Sequence, residues 1–191
     1  DPFFLFDIWF KEVSSKNSKS EVNAMTLSTI GLSGYPNGRI VLLKYYSHDG
    51  FVFFTNYNSN KAASIDQNNK VSISFFWEES ERQVIIKGVA TRTSDDFSTK
   101  YFNSRPKGSK LGALVSENQS SIIKSKDYII KKFNELSKEY SNKEISRPNN
   151  WGGYIIKPIQ YEFWQGGENR LHDRIRYTLN KNIWQIDRLS P

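Results

Sequence analysis

The sequence predicts an α+β fold that is mainly β: an antiparallel, barrel-like sheet with interrupting helices, formed by one domain of 191 residues. Short apolar stretches of strand length recur along the chain, separated by hairpin signals such as Gly34-Tyr-Pro-Asn-Gly38 and His48-Asp-Gly50. Aromatic residues form 15% of the chain, an enrichment that favours strands. No repeat or linker-like stretch divides the chain, so we assign the strands to one sheet.

The first predicted element is a helix over 1–13. Pro2 suits its first turn, because a proline there loses no intrahelical hydrogen bond. Its apolar face consists of Leu5, Ile8, Trp9 and Val13. The polar, serine-rich stretch over 14–21 then predicts a loop.

The remaining pattern alternates strands with short helices. Ser59 and Ser94 are predicted helix caps, and the helix that starts at Ser94 should end before Pro106. The other predicted helices cover 59–68, 111–115 and 125–140. The predicted strands cover 24–30, 39–46, 51–56, 71–77, 83–92, 151–156, 160–164, 171–179 and 184–186, with turns at 31–38 and 48–50. Strands this rich in aromatic residues leave apolar surface uncovered, so we expect a dimer.

The composition excludes several kinds of chemistry. The chain has no cysteine, which rules out disulfides, cysteine-ligated metals and thiol catalysis, and its two histidines are too few for a histidine-rich metal site. No apolar stretch approaches the roughly 18–20 residues that span a bilayer, and no signal-peptide pattern follows Asp1, so we expect a soluble, cytoplasmic protein. The net charge of +7 comes from dispersed lysines, which favours discrete anion sites over a nucleic-acid surface.

A stretch near the end of the chain carries the strongest functional signal. Arg170, His172 and Arg174 stand at alternate positions, and in a β-strand all three would point to one face. Two guanidiniums and an imidazole on one face would bind an anion. Trp164 and the glycine pair 166–167 lie just upstream, where the backbone can turn tightly. The combination suggests a flat, charged small molecule as the ligand.

Two further segments have the chemistry of phosphate sites. Thr55 and Lys61 flank a helix N-terminus, whose free N–H groups attract anions. Tyr101 and Arg105 are four residues apart, hence on one helical face, and Ser109 follows them. The alternative is a basic helix end at the surface.

Other motifs leave their role open. Arg39 and Lys44 stand at the two ends of an apolar strand and face opposite sides of it. Gln83 could recognise the edge of a heterocycle or simply face solvent. No Ser/His/Asp order and no carboxylate pair stands out, which favours chemistry carried by a cofactor.

The chain resembles the pyridoxine (pyridoxamine) 5'-phosphate oxidase family in a series of segments that occur in the same order along essentially its whole length. They are Asn23-Ala-Met, Arg39-Ile-Val-Leu-Leu-Lys44, Phe54-Thr-Asn, Lys61-Ala, Arg82-Gln-Val, Tyr101-Phe-Asn-Ser-Arg-Pro, Gly112-Ala, Gln119-Ser-Ser, Trp151-Gly-Gly-Tyr, Glu162-Phe-Trp-Gln-Gly, Arg170-Leu-His-Asp-Arg174 and Asp187-Arg-Leu-Ser-Pro191. The C-terminal segments are the most specific.

The resemblance implies a split β-barrel flavoprotein, a homodimer with FMN at the subunit interface, and no nucleic-acid or membrane partner. It implies oxidation of pyridoxamine or pyridoxine 5'-phosphate to pyridoxal 5'-phosphate, with hydride transfer to FMN and reoxidation by O2 to hydrogen peroxide. It also assigns dimerisation and substrate contacts to the strands of 151–191.

Carried over motif by motif, the resemblance implies two sets of site residues. The FMN contacts would be Arg39, Ile40, Val41, Leu42, Leu43, Lys44, Phe54, Thr55, Lys61, Gln83, Gln119, Ser120, Trp164 and Arg174. The substrate contacts would be Lys44, Tyr101, Arg105, Ser109, Arg170 and His172. Of these, Arg170 and His172 would act as the catalytic pair beside the reacting carbon.

The sequence departs from the family pattern at three places. Asn60 stands where the family usually has an arginine, so one phosphate contact is missing. One extra residue lies near Glu117-Asn118, which shifts the expected placement of Gln119. The chain begins at Asp1 without the family's Arg/Tyr-bearing segment over the substrate, and we expect the full protein to have it. Two alternatives stay open: a flavin- or pyridoxal-phosphate-binding carrier without turnover, and an oxidase of the same fold with another substrate, such as those of phenazine synthesis.

Overall fold

The computed structural model describes residues 1–16 and 21–191. The helices are α1 Pro2–Ser15, α2 Asn60–Gln67, α3 Asp95–Ser104, α4 Lys107–Val115 and α5 Lys126–Glu139. The strands are β1 Ala24–Ile30, β2 Pro36–Leu42, β3 Tyr45–Ser47, β4 Gly50–Asn56, β5 Lys70–Trp77, β6 Arg82–Arg92, β7 Trp151–Gln165, β8 Asp173–Asn180 and β9 Ile183–Leu189. The predicted α+β class, mainly antiparallel β with a barrel-like curl, is confirmed.

All nine strands of the described chain form one antiparallel sheet in the order β2-β1-β5-β6-β7-β4-β3, and β8 and β9 extend it from β7. The sheet curls until β2 approaches β4. Backbone bonds fix this closure, since Lys44 N–H donates to the Val52 carbonyl at 2.8 Å and Leu43 N–H donates to the Asn23 carbonyl at 2.8 Å. The result is a curled half-barrel.

The long strand β7 organises this sheet. It pairs with β6 along most of its length, with β4 over 151–156 and with β8 over 160–165. The register shifts between Lys87 and Gly88, opposite Pro158, which has no N–H for the ladder. A side chain at Gly88 would meet the Lys157 carbonyl oxygen at 2.5 Å, so glycine permits the close approach there. The two separate strands predicted over 151–156 and 160–164 are therefore one strand with an irregularity.

Helix α1 fills the interior of the half-barrel. Asp1 caps it by accepting a 2.9 Å bond from Phe3 N–H. Phe6 is fully buried, and its ring lies 4.8–5.6 Å from four other rings. These four rings belong to Phe10, Tyr46, Phe51 and Phe75. The aromatic enrichment of the sequence thus builds the core between α1 and the sheet.

A second apolar cluster attaches α3, α4 and α5 to the start of β7. Phe102 of α3, Leu111 of α4 and Trp151 at the start of β7 are buried together, with Ile145 from the segment after α5. This cluster fixes the α3–α4 corner beside β4, and that corner forms one wall of the site described below.

Several predicted boundaries are wrong for identifiable local reasons. Residues 14–15 belong to α1, because their hydroxyls bond back to the Phe10 and Glu12 carbonyls. The predicted turn over 31–38 closes early, as Gly31 N–H donates to the Tyr35 carbonyl, so 36–38 already pair with β1. The predicted strand over 39–46 breaks at 43–44, where the chain crosses from β1 to β4. The part of the predicted loop at 17–20 lies outside the described residues.

Two absences bear on function, and both concern the described residues. No helix among them is long and apolar enough to cross a membrane. No group of three or more histidine, aspartate or glutamate side chains among them could hold a metal ion.

Replacing Phe6 with alanine should lower the free energy of unfolding by about 3–5 kcal/mol, because a fully buried ring leaves a cavity among its neighbours. Phe4, which is 57% exposed on the same helix, is the matched control, and Phe4→Ala should cost less than about 1 kcal/mol. Urea denaturation measures both. Similar losses for the two variants would contradict the placement of α1 inside the sheet.

Candidate functional site

A cleft of about 600 Å³ lies between β2, β4, the α3–α4 corner and the segment after α4. Its volume suits a cofactor or small-molecule ligand. Eleven of the predicted site residues line it: Ile40, Val41, Leu42, Lys44, Phe54, Thr55, Lys61, Tyr101, Arg105, Ser109 and Gln119. The fold thus brings together residues that are up to 79 positions apart in the sequence.

At one side of the cleft, Lys61 projects from the first turn of α2. Ser59 caps this helix through a 3.4 Å bond from Ala62 N–H. Lys61 Nζ donates to Gln119 Oε1 at 2.8 Å, and the Thr55 hydroxyl lies 3.5 Å from the same oxygen. Burial lowers the pKa of Lys61, and the nearby Arg39 lowers it further. A cation that faces a neutral amide and a second cation favours the binding of an anion.

Asn60 opens α2 with its backbone N–H 3.3 Å from the Ser120 hydroxyl. Its side chain is neutral, so this side of the cleft carries one cation fewer than an arginine at the same position would give. The stretch 116–120 forms turns, with Ser120 at φ 75°, and Gln119 reaches the cleft from them.

A second anion site is indicated at the α3–α4 corner. Arg105 ends α3, its guanidinium lies 4.6 Å from the Trp151 ring centre, and its Nη1 is buried without a hydrogen-bond partner. Burial lowers the pKa of Arg105. Helix α4 starts at Pro106 without a side-chain cap, and Ser109 lies in its first turn. An unpaired buried cation beside an uncapped helix N-terminus and a hydroxyl fits a phosphate group.

Aromatic rings form the wall next to this corner. The Phe54 and Tyr101 rings stack with centroids 4.0 Å apart, and Phe54 also stacks on Trp151 at 5.4 Å. Burial raises the pKa of Tyr101, so its hydroxyl remains a proton donor at neutral pH. This wall would face a flat ligand and direct a phenol toward the anion site.

The other predicted site residues form a separate set, here called the distal group: Gln83, Trp164, Arg170, His172 and Arg174. Gln83 pairs with Trp164, and Trp164 pairs with Arg174, across β6, β7 and β8. The Trp164 and His172 rings lie 4.7 Å apart. Arg174 donates to Glu162 Oε1 at 3.0 and 2.7 Å and to the Ser190 carbonyl at 2.8 Å, so its guanidinium is held in place.

The strand geometry predicted for the distal group is wrong in part. Strand β8 begins at Asp173, and Arg170 ends a 3-10 turn with φ 62°. Arg170 and His172 therefore do not lie on one face of a strand as predicted, although His172 still lies beside Trp164. The turn forms because Gly166 N–H donates to the Glu81 carbonyl at 2.7 Å and Gly167 N–H donates to His172 Nδ1 at 3.2 Å. These bonds draw the backbone away from strand pairing.

Three predicted contacts are not among the residues that line the cleft. Arg39 donates to the Leu27 carbonyl at 3.1 Å and to the Thr29 hydroxyl at 2.8 Å. Leu43 is buried in the core, and the Ser120 hydroxyl accepts from α2. Their roles stay predictions.

Sequence reasoning missed six residues that line the cleft: Asn56, Pro106, Gly112, Ala113, Ser116 and Trp151. Trp151 precedes a glycine pair at the start of a strand, as Trp164 does at the end of one, and this parallel could have singled it out. Asn56 is 3% exposed, and its side chain holds the segment after α4, a contact that no local pattern reveals.

The cleft and the distal group lie at opposite ends of β7. Gly153 pairs with Phe54 in the cleft wall, whereas Gln165 pairs with Asp173 beside the distal group. These positions are twelve residues apart, which corresponds to about 40 Å along an extended strand. Within the described chain, no residue of the distal group lines the cleft.

Arg105→Met should change the free energy of unfolding by no more than about 1 kcal/mol, because an unpaired buried donor contributes little to stability. Arg147 is the matched control: its side chain is 9% exposed and bonds Asp95, Thr99 and the Trp151 carbonyl. Arg147→Met should cost about 2–3 kcal/mol, because the Thr99 hydroxyl and the Trp151 carbonyl lose a charged donor. Urea denaturation distinguishes them, and an equally large loss for Arg105→Met would show that Arg105 serves the fold.

The fold has counterparts among solved structures. PhzG from Burkholderia lata 383, in complex with tetrahydrophenazine-1-carboxylic acid, matches with a TM-score of 0.93 at 24% identity, covering all of this chain and 93% of that one. A pyridoxamine 5'-phosphate oxidase-related, FMN binding protein from Nostoc punctiforme matches with a TM-score of 0.78 at 17% identity, covering 100% and 98%. At these identities the likeness establishes the fold alone, a split barrel.

Sequence comparison is more specific. The pyridoxine/pyridoxamine 5'-phosphate oxidase of Flavobacterium johnsoniae is 56% identical over 191 residues, which cover 100% of this chain and 89% of that protein. Its counterpart in Leptospira biflexa is 47% identical over the same coverage. The family model "Pyridoxamine 5'-phosphate oxidase" matches residues 15–139, and "Pyridoxine 5'-phosphate oxidase C-terminal dimerisation region" matches 151–191. On the strength of matches that run through both the cleft and the distal group, this chain belongs to the pyridoxine/pyridoxamine 5'-phosphate oxidase family.

Proposed function

We propose that this protein is an FMN-dependent oxidase that converts pyridoxamine or pyridoxine 5'-phosphate to pyridoxal 5'-phosphate. One observation carries the proposal: a single cleft contains two separate cationic positions, at Lys61 and Arg105, with an aromatic wall beside the second. Two positions suit two phosphates, one from the flavin and one from the substrate. The names of the relatives support this assignment.

Lys61, Thr55 and the N-terminus of α2 would hold the phosphate of FMN. The partners that Lys61 has in the described chain leave its charge uncompensated, and a dianion would supply the missing charge. Ile40, Val41 and Leu42 offer strand backbone and apolar side chains along the same wall. Asn60 removes one cation from this position, and we expect FMN affinity to rest more heavily on Lys61 as a result.

Arg105, Tyr101, Ser109 and the N-terminus of α4 would hold the phosphate of the substrate. The Nη1 of Arg105 is already shielded from water and has no hydrogen-bond partner. A phosphate that bound there would gain a strong charge-assisted hydrogen bond without a further desolvation cost for this donor. The stacked rings of Phe54 and Tyr101 would exclude water from the ligand on this side.

In each chain, the distal group lies about 40 Å from the cleft along β7. The distal group of a second copy would therefore complete the site. A homodimer accounts for this arrangement and for the exposure of large apolar side chains at Ile40, Leu171 and Ile183. The name of the matching C-terminal family model, a dimerisation region, supports the same assembly.

Bound FMN would supply the chemistry for a two-electron oxidation at C4' of the substrate, with O2 as the final electron acceptor and hydrogen peroxide as its product. Arg170 and His172 would orient the pyridine ring: Nδ1 of His172 accepts from Gly167 N–H, so Nε2 carries the hydrogen and would donate a hydrogen bond to the ligand. With the amine substrate, water would then hydrolyse the imine and release ammonia.

The direct test is peroxide release by the FMN-reconstituted protein with pyridoxamine 5'-phosphate under air. Arg105→Met should raise KM by about 10- to 100-fold, as expected for the loss of a charged hydrogen bond to the substrate phosphate. It should leave FMN retention unchanged, and pyridoxamine without phosphate should be a poor substrate for both proteins. Stoichiometric flavin without peroxide release would instead indicate a carrier.

A subunit-mixing experiment tests the shared site. Arg105→Met and Arg170→Ala should each abolish most activity at low substrate concentration, and Arg170→Ala should spare FMN retention. A hybrid dimer contains one subunit with each change. If Arg105 and Arg170 of one site come from different subunits, one of its two sites contains both changes and the other contains neither. Random pairing should then restore roughly a quarter of the original activity. No recovery in verified hybrids would refute a site shared between subunits.

A further inference from the structure

The Glu117 carbonyl is a point at which three side-chain amides tie the segment after α4 to the rest of the chain. The Glu117 carbonyl accepts side-chain amide bonds from Asn56 at 3.1 Å, Asn58 at 3.1 Å and Asn150 at 2.7 Å. Asn56 also donates to the Ser116 carbonyl at 2.6 Å. We call Asn56, Asn58 and Asn150 the asparagine clamp. They come from the end of β4, the turn that follows it and the residue before β7, so they join the segment after α4 to two strands that pair with each other.

The orientation of the clamp is determined by its own hydrogen bonds. Asn56 is 3% exposed, and its Oδ1 accepts a 2.7 Å bond from Asn58 N–H. Its amide nitrogen must therefore face the segment after α4, because a flipped amide would oppose oxygen to the Ser116 and Glu117 carbonyls. The clamp is a fixed group of donors.

The clamped carbonyl lies two residues before Gln119. Gln119 Oε1 accepts the 2.8 Å bond from Lys61 Nζ and lies 3.5 Å from the Thr55 hydroxyl. The Gln119 side chain is thus the neutral partner that holds the Lys61 amine in the cleft. If the Glu117 carbonyl were released, the turns over 116–120 could move, and Lys61 would lose this partner.

We propose that the asparagine clamp positions Gln119, and through it Lys61, for the phosphate of FMN. The inference rests on the proposed function for the identity of the ligand, but the clamp itself is independent of any ligand. The three asparagines are positioning residues, since the contact with the anion belongs to Lys61. Asn150 is the best probe, because it is partly exposed and donates one bond, whereas Asn56 supports the fold through three.

The first experiment uses the ligand-free protein. A glutamate-specific protease cuts the peptide bond that follows Glu117, whose side chain is 65% exposed while its carbonyl is clamped. Asn150→Ala should speed cleavage at this bond about five- to tenfold, the equivalent of one hydrogen bond lost from the closed form. The control is Asn23→Ala, which removes a 3.0 Å amide bond to the Leu43 carbonyl and should leave cleavage at Glu117 unchanged. An unchanged rate in Asn150→Ala would overturn the clamp.

The second experiment is a double-mutant cycle on FMN affinity, measured by quenching of flavin fluorescence. Asn150→Ala should weaken FMN binding about three- to tenfold in the original protein. In a Gln119→Ala background the same change should have no further effect, because the residue it positions is gone. Equal losses in both backgrounds would show that Asn150 acts on the fold rather than through Gln119. If the original protein binds no FMN, the proposed function fails, whereas cleavage at Glu117 still decides whether the clamp exists.

Discussion

The backbone pairing of β7 is the constraint on which the rest of the structure depends. This strand of 15 residues forms backbone hydrogen bonds with β6, β4 and β8. It is therefore part of the half-barrel and also pairs with the C-terminal hairpin of β8 and β9. Its hydrogen bonds fix the cleft at one end and the distal group at the other. An extended strand cannot fold back on itself, and a site that needs both ends requires two chains.

Arg147 and Arg105, two arginines near the α3–α4 corner, differ in their hydrogen bonding. Arg147 is paired with Asp95 and two further acceptors, and it secures the α3–α4 corner against β7. Arg105, a few ångströms from the same Trp151 ring, has a donor without an acceptor. Burial lowers the pKa of both Arg105 and Lys61, which means that each charge is held at a cost to the ligand-free protein. An anion that bound beside these side chains would recover that cost.

Local rules in the sequence were sufficient for most elements and for the residues within them. Caps at Ser59 and Ser94 begin their helices as predicted, and Tyr101 and Arg105 share the cleft as their helical spacing indicated. Other features depend on contacts that are distant in sequence. The two strands predicted over 151–156 and 160–164 are one strand, because the irregularity at Pro158 is accommodated by Gly88, seventy positions earlier. Arg170 and His172 looked like strand residues because the bonds that form their turn come from Glu81 and from the glycine pair.

The pairing of β4 with the first part of β7 also has a consequence for how the chain acquires its structure. The backbone groups of residues 51–56 that face β7 stay unpaired until residues 151–156, about a hundred positions later in the chain, form the neighbouring strand. Such non-local pairing pays loop-closure entropy before it gains contacts, which slows folding. During synthesis, β4 leaves the ribosome well before its partner, with the aromatic residues Phe51, Phe53 and Phe54 on an unpaired edge. Because β7 is synthesised late, the nascent chain can associate wrongly through β4 until β7 pairs with it.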